Sequence, residues 1–110
     1  MVIAKIRLTP QPAHRREVLE LLESVQGPAL ARVDCLECQI SEDGGKHGAI
    51  CYCEHWDSEA ALQEHFRSAL YRNLLVALEF SSRPPEIYFH SVSSTRGMEF
   101  IESLRTQEQA

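Results

Sequence analysis

Glu54-His55-Trp56-Asp57-Ser58-Glu59-Ala60-Ala61-Leu62-Gln63-Glu64-His65 is the stretch on which the fold turns. An apolar-rich run over residues 50–56 stops at Asp57-Ser58, and a helical pattern begins at once. Asp and Ser accept hydrogen bonds from the free amides of a helix's first turn, so the junction predicts a strand ending on a tryptophan and a helix starting at its foot. His65 falls roughly two turns into that helix. One junction thus carries a large aromatic and a titratable imidazole toward a shared cavity.

Upstream, Val2, Ala4, Ile6 and Leu8 alternate with Ile3, Lys5 and Arg7, which predicts a strand with one buried face. Thr9-Pro10-Gln11-Pro12 breaks it. Val18, Leu19, Leu21, Leu22 and Val25 have helical spacing over residues 13–25. Gly27-Pro28 is expected to interrupt this helix, with Ala29-Leu30-Ala31-Arg32 resuming it for a turn. Residues 35–40 and 49–56 read as two strands flanking the glycine turn Asp43-Gly44-Gly45-Lys46-His47-Gly48, hence an antiparallel hairpin.

Downstream, Leu62, Phe66, Leu70, Leu74, Leu75 and Leu78 form an apolar stripe across residues 58–80. A break is expected at Arg67-Ser68, with Ser68 capping the second piece. Residues 87–92 read as the last strand, after Ser81-Ser82-Arg83-Pro84-Pro85. In the tail, Met98, Ile101 and Leu104 predict a short helix docked on its own sheet or on a partner, and residues 106–110 are polar enough to fray.

The order strand, helix, strand, strand, helix, strand is the split βαβ, ferredoxin-like order. It predicts an α+β domain over residues 1–92, with a four-stranded antiparallel sheet, two helices on one face, and residues 93–110 as an appended tail. Strand three sends Ile50, Tyr52 and Trp56 to one side and Cys51 and Cys53 to the other. Read as two apolar faces, the sheet needs two covers, and a second copy of the chain is the natural second one. A homodimer is therefore expected.

Composition narrows the classes. The chain has 110 residues, 44% apolar and 25% charged, which suits one soluble globular domain. Net charge is −5, and only His14-Arg15-Arg16 gathers basic residues, beside Glu17, Glu20 and Glu23. Nucleic acid, which needs a concentrated basic surface, is not an expected partner. No apolar run reaches the roughly 18 residues of a membrane span, and Lys5 and Arg7 break any signal-peptide layout, so a cytoplasmic location with four reduced cysteines is expected.

Those cysteines raise a zinc reading, Cys35-x2-Cys38 with Cys51-x-Cys53. Strand alternation argues against it, because Cys35 and Cys38 would point to opposite faces and no glycine knuckle shapes either pair. Buried thiols acting as small apolar groups are the simpler reading. A hairpin that set Ile40 opposite Ala49 would place Cys38 opposite Cys51, and a disulfide there or a redox role is the remaining alternative.

Several residues together resemble the antibiotic biosynthesis monooxygenase family. They are Asp34-Cys35 before the hairpin, Glu54-His55-Trp56-Asp57-Ser58 at the strand-to-helix step, His65 beyond it, and then Ser68 and Tyr71. The resemblance spans residues 2–92 and implies a dimeric α/β barrel. Such families include cofactor-independent quinol oxygenases, haem-degrading enzymes, an isomerase of a signalling sugar phosphate, and members of no known reaction. The haem branch places an asparagine, a tryptophan and a ligating histidine where this chain has Ile6, His65 and Leu75. Leu75 cannot bind iron, so haem degradation is not expected.

The resemblance implies a monooxygenase of a small aromatic or quinol-type molecule, with no cofactor and no metal. Such a reaction asks for a base that titrates near neutrality, a dry cavity and a donor for developing oxygen charge. His65 is the candidate catalytic base. Trp56 and Tyr71 are the candidate substrate-binding walls, and Tyr71 is also a donor. The competing reading of each is a core residue. His65 and Tyr71 are six apart and off one helical face unless the break near Ser68 turns them together. His55, opposite Trp56, and His90, on the last strand, are lesser candidates, while His14 and His47 are expected in solvent. The alternatives are a non-catalytic ligand-binding or sensory dimer of this fold and a dimer with a filled core.

Overall fold

The computed structural model describes residues 1–43 and 48–109, the last three of these as backbone only. The glycine turn's residues 44–47, His47 among them, lie outside the described residues, as does Ala110. Strands β1 (Val2–Leu8), β2 (Cys35–Glu42), β3 (Ile50–Trp56) and β4 (Glu86–Ser91) form one sheet in the order β2-β3-β1-β4. Every neighbouring pair is antiparallel. A 3-10 turn (Pro12–His14) leads into α1 (Arg15–Leu30), and α2 (Glu59–Arg67), α3 (Tyr71–Glu79) and α4 (Met98–Gln109) follow. This is the α+β, ferredoxin-like arrangement expected, with α1 to α3 on one face.

The core follows from strand alternation. Val2, Ala4, Ile6 and Leu8 of β1 and Ile50, Tyr52, Glu54 and Trp56 of β3 all turn toward the helices and are buried. Val18, Leu22, Val25 and Ala29 of α1 and Leu74 and Ala77 of α3 close over them. Each fully buried aliphatic side chain in such a layer contributes about 1.5–3 kcal/mol.

Pro28 does not interrupt α1, which runs on to Leu30. The proline removes one bond in the final turn, while burial of Val25 and Ala29 on either side holds the segment helical. Between α2 and α3 the expected break is present, but Ser68 closes α2 instead of capping α3. Its Oγ donates to the His65 carbonyl at 2.7 Å. Leu75 leaves the predicted stripe and is half exposed.

Strand β2 differs more. Cys35 opposes Trp56 while Glu37 opposes His55, so Leu36 is an extra, bulged residue. The bulge resets the alternation, and Cys35 and Cys38 both face the core, not opposite faces. Cys38 opposes Glu54 and Cys51 opposes Ser41, which rules out the Cys38–Cys51 pairing. All four cysteines are free thiols. Among the described residues no group of three or more His, Cys, Asp or Glu could hold a metal ion.

The second face of the sheet is mixed, more charged than the apolar surface expected. By register it carries Lys5, Arg7, Gln39, His55 and Glu86 together with Ile3, Cys51, Cys53 and Tyr88, so charged and apolar groups are mixed there. Arg7 reaches Asp43 at 2.8 Å and Glu86 at 3.7 Å there. Reading that face from β3 alone missed the charges contributed by its neighbours. Edge strand β4 exposes Tyr88 on this face and Ile87 and Phe89 on the helix side, and α4 exposes Met98, Phe100, Ile101 and Leu104. The described side chains of α4 are all exposed, so it is not docked on its own sheet. Its backbone stays helical to Gln109, past the point where fraying was expected. Among the described residues no helix is long and apolar enough to cross a membrane.

Ser58 caps α2 as predicted, its Oγ accepting from the Ala61 amide at 3.1 Å. Ser58→Ala should lower unfolding free energy by about 1 kcal/mol in urea denaturation, with little change in slope.

Candidate functional site

The strand-to-helix junction builds the site. Strand alternation puts Tyr52, Glu54 and Trp56 on one face of β3, each with no more than 1% of its surface exposed. The Ser58 cap sets α2 so that His65, 3% exposed, comes down on Glu54. The Glu54 carboxylate accepts three hydrogen bonds. Tyr52 Oη–H donates to Oε2 at 2.6 Å, His65 Nε2–H donates to Oε2 at 2.7 Å, and Trp56 Nε1–H donates to Oε1 at 3.1 Å. Cys38 Sγ–H in turn donates to Tyr52 Oη at 3.3 Å. A buried carboxylate is tolerated only when its oxygens are satisfied in this way.

This bonding fixes the imidazole. With the proton on Nε2 directed at Glu54, the basic lone pair of neutral His65 lies on Nδ1, which has no hydrogen-bond partner among the described residues. The His65 ring centroid is 4.7 Å from Trp56 and 5.2 Å from Tyr71, edge to face. The break at Ser68 rotates α3 and brings His65 and Tyr71 together despite their six-residue spacing.

Beside them, Arg32 lies with its guanidinium 5.4 Å from the Trp56 ring. Asp34 holds it at Nε and Nη2, at 3.0 and 2.9 Å, and Glu64 also takes Nη2, at 3.0 Å. The Arg32 guanidinium accordingly draws Asp34 below the usual carboxylate range. A cleft of about 150 Å³ opens between α1 and α2, lined by Pro28, Ala29, Arg32, His65, Ser68 and Leu70. A larger cavity, about 350 Å³, lies on the other face of the sheet by Arg7, Cys51 and Tyr88. Its polar lining is Lys5, Arg7, Cys51, Cys53, Glu86 and Tyr88, and none of His65, Trp56 and Tyr71 lines it; the smaller cleft is the one that reaches the imidazole.

The three sequence-predicted site residues therefore meet in one cluster, though they do not share the cleft. His65 lines it, Trp56 is fully buried behind the imidazole, and Tyr71 packs against the ring's edge. His55 sits on the other face, 3.4 Å from Glu37, and His90 stacks on Tyr88 away from the cluster. His14, expected in solvent, stacks on Phe80 at 4.7 Å and is half-buried. Sequence reasoning missed Glu54 and Arg32. The signal for Glu54 was there, since alternation puts a carboxylate between Tyr52 and Trp56 on the core face. Arg32 is positioned by tertiary contacts that no periodicity carries.

A family model described as antibiotic biosynthesis monooxygenase matches residues 1–75. Solved structures share the fold. A Mycobacterium tuberculosis protein is 24% identical, covering 87% of this chain and 98% of its own, with a TM-score of 0.77. A Deinococcus radiodurans protein named for the same family is 22% identical, over 88% and 97% of the two chains, with a TM-score of 0.77. A third, an antibiotic biosynthesis monooxygenase, is 17% identical over 86% and 100%, with a TM-score of 0.74. At these identities the likeness establishes the fold alone. No curated protein matches the sequence.

Burial, then the nearby Glu54 charge, pushes the Cys38 thiol from 9.0 up to about 12, and the Tyr52 phenol rises from the same two causes. Below pH 9.0 the Cys38 thiol is neutral in both states, and between 9.0 and about 12 only the unfolded chain ionises it. Stability should therefore fall as pH rises through that window. Urea midpoints taken across it should fall less steeply for Cys38→Ala than for the native chain.

Proposed function

We propose, since the chain belongs to the antibiotic biosynthesis monooxygenase family, that it oxygenates a small phenol or quinol without metal or organic cofactor. The observation that carries this reading is the 2.7 Å bond from His65 Nε2 to buried Glu54. Glu54 orients the ring and holds its Nε2 tautomer, as the carboxylate of a hydrolase triad does for its histidine. The Nδ1 lone pair is then available as a general base at the cleft.

The chemistry balances on the substrate and dioxygen. His65 takes the phenolic proton, and the O–H bonding pair stays on the phenolate. The phenolate gives one electron to dioxygen, and the resulting radical pair joins at a ring carbon to form a C–O bond. The imidazolium returns its proton to the peroxide, whose O–O bond then breaks as that carbon loses its hydrogen, giving a carbonyl and water and leaving His65 neutral. One phenol and one dioxygen become one quinone and one water. Trp56 and Tyr71 hold the imidazole in place while its proton load changes. The cleft is near the ~150 Å³ that accommodates benzene in an engineered cavity, so a single ring is the fitting size.

A homodimer is part of this reading, with the exposed apolar residues of β4 and α4 as the surfaces that support it. Single-site apolar exposure is ordinary, but runs of it on a strand and a helix of a small domain are the pattern of an interface. Sedimentation equilibrium should give twice the chain mass, and Ile87→Asp with Phe89→Asp should return it to one. A native chain that sediments as a monomer defeats the pairing.

Metal-free protein given a single-ring quinol should consume oxygen equimolar with substrate. His65→Ala should slow turnover at least ~100-fold, and Glu54→Gln should slow it with little change in KM. Unchanged turnover in His65→Ala removes the base. Melting shifts with the quinol but no oxygen uptake would favour a ligand-binding protein of the same fold.

A further inference from the structure

Arg32 has three hydrogen-bonding nitrogens, and two of them are occupied. Nε and Nη2 are held by Asp34 and Glu64, which leaves Nη1 without a partner among the described residues. The same residue and His65 both line one cleft, whose remaining walls include the apolar Pro28, Ala29 and Leu70. Tyr71 does not line it. The charges around the cleft are unequal, because one guanidinium stands among Asp34, Glu64 and Glu54.

We infer that Arg32 Nη1 is the donor that receives the oxygen of a neutral, single-ring phenol when His65 takes its proton. The inference deepens the reading of His65 as the base and rests on it. A ligand that arrives already anionic meets a net negative surround and is disfavoured. A neutral phenol enters without that cost. Proton transfer to Nδ1 then creates phenolate and imidazolium together, and the phenolate gains a charge-assisted bond to a fixed N–H. Asp34 and Glu64 keep the guanidinium from turning away, so the donor is in place before the charge appears. The cleft thus selects neutral acids over carboxylates of the same shape.

The chain has one tryptophan, Trp56, 5.4 Å from Arg32 and 4.7 Å from the His65 ring, so its fluorescence reports occupancy of the cleft. The probe is 4-nitrophenol, which is yellow only as the phenolate and titrates near neutrality. On binding, Trp56 emission should change, and the bound probe should favour the phenolate about tenfold more than the free one. Arg32→Met should retain the emission change and lose that preference. If Arg32→Met does not fold, Arg32→Lys, which keeps the charge without the fork, should lose most of it. Benzoate should compete poorly with 4-nitrophenol, and neutral phenol should compete well. Equal phenolate preference in the native chain and in either folded variant overturns the inference. So does the absence of any Trp56 response, or displacement by benzoate as effective as by phenol. Because no oxygen is consumed, the result stands apart from turnover: the nitrophenol shift with no quinol oxidation removes the oxygenase reading and keeps the Arg32 site.

Discussion

A carboxylate with 1% of its surface exposed governs this molecule. Glu54 can be buried only because Tyr52, Trp56 and His65 each direct a donor at it. That demand couples the elements. Tyr52 and Trp56 must share its face of β3, and α2 must begin where Ser58 begins it, so that His65 reaches the same oxygen as Tyr52. Removing one member leaves a buried polar group unpaired, at a cost of roughly 1–3 kcal/mol, more when the group is charged. Stability and the state of the imidazole therefore depend on the same few atoms.

Much of the fold was legible because its signals are local. The alternation of Val2 to Leu8, the Ser58 cap and the break near Ser68 all follow from short-range physics, and the strand and helix order follows from them. The parts that were not legible depend on neighbours. Pro28 is helical because Val25 and Ala29 are buried around it. The bulge at Leu36 depends on pairing with β3, and without it Cys35 and Cys38 cannot share a face. The mixed character of the sheet's second face emerges only when β1 and β4 are laid beside β3 in register.

The site divides in the same way. Trp56 and His65 were placed together by the junction itself. Tyr71 joined them because the helix breaks between residues 67 and 71, a geometric consequence that spacing alone could not give. Glu54 could have been found from its position between two core aromatics. A glutamate in a strand ordinarily faces solvent, and that expectation hides the alternation that buries this one. Arg32 sits past the end of α1, where its three polar contacts come from the loop before β2 and from α2.

The last twelve residues of ordered backbone carry a different consequence. A helix of that length, bare on every described side, is marginal in water by its own hydrogen bonds. A second surface against its apolar side chains would add the burial that its own hydrogen bonds do not supply. The far-ultraviolet circular dichroism of a dilute sample, compared with a concentrated one, would then work as a gauge of company, reporting through the chain's own terminus how often each molecule meets another.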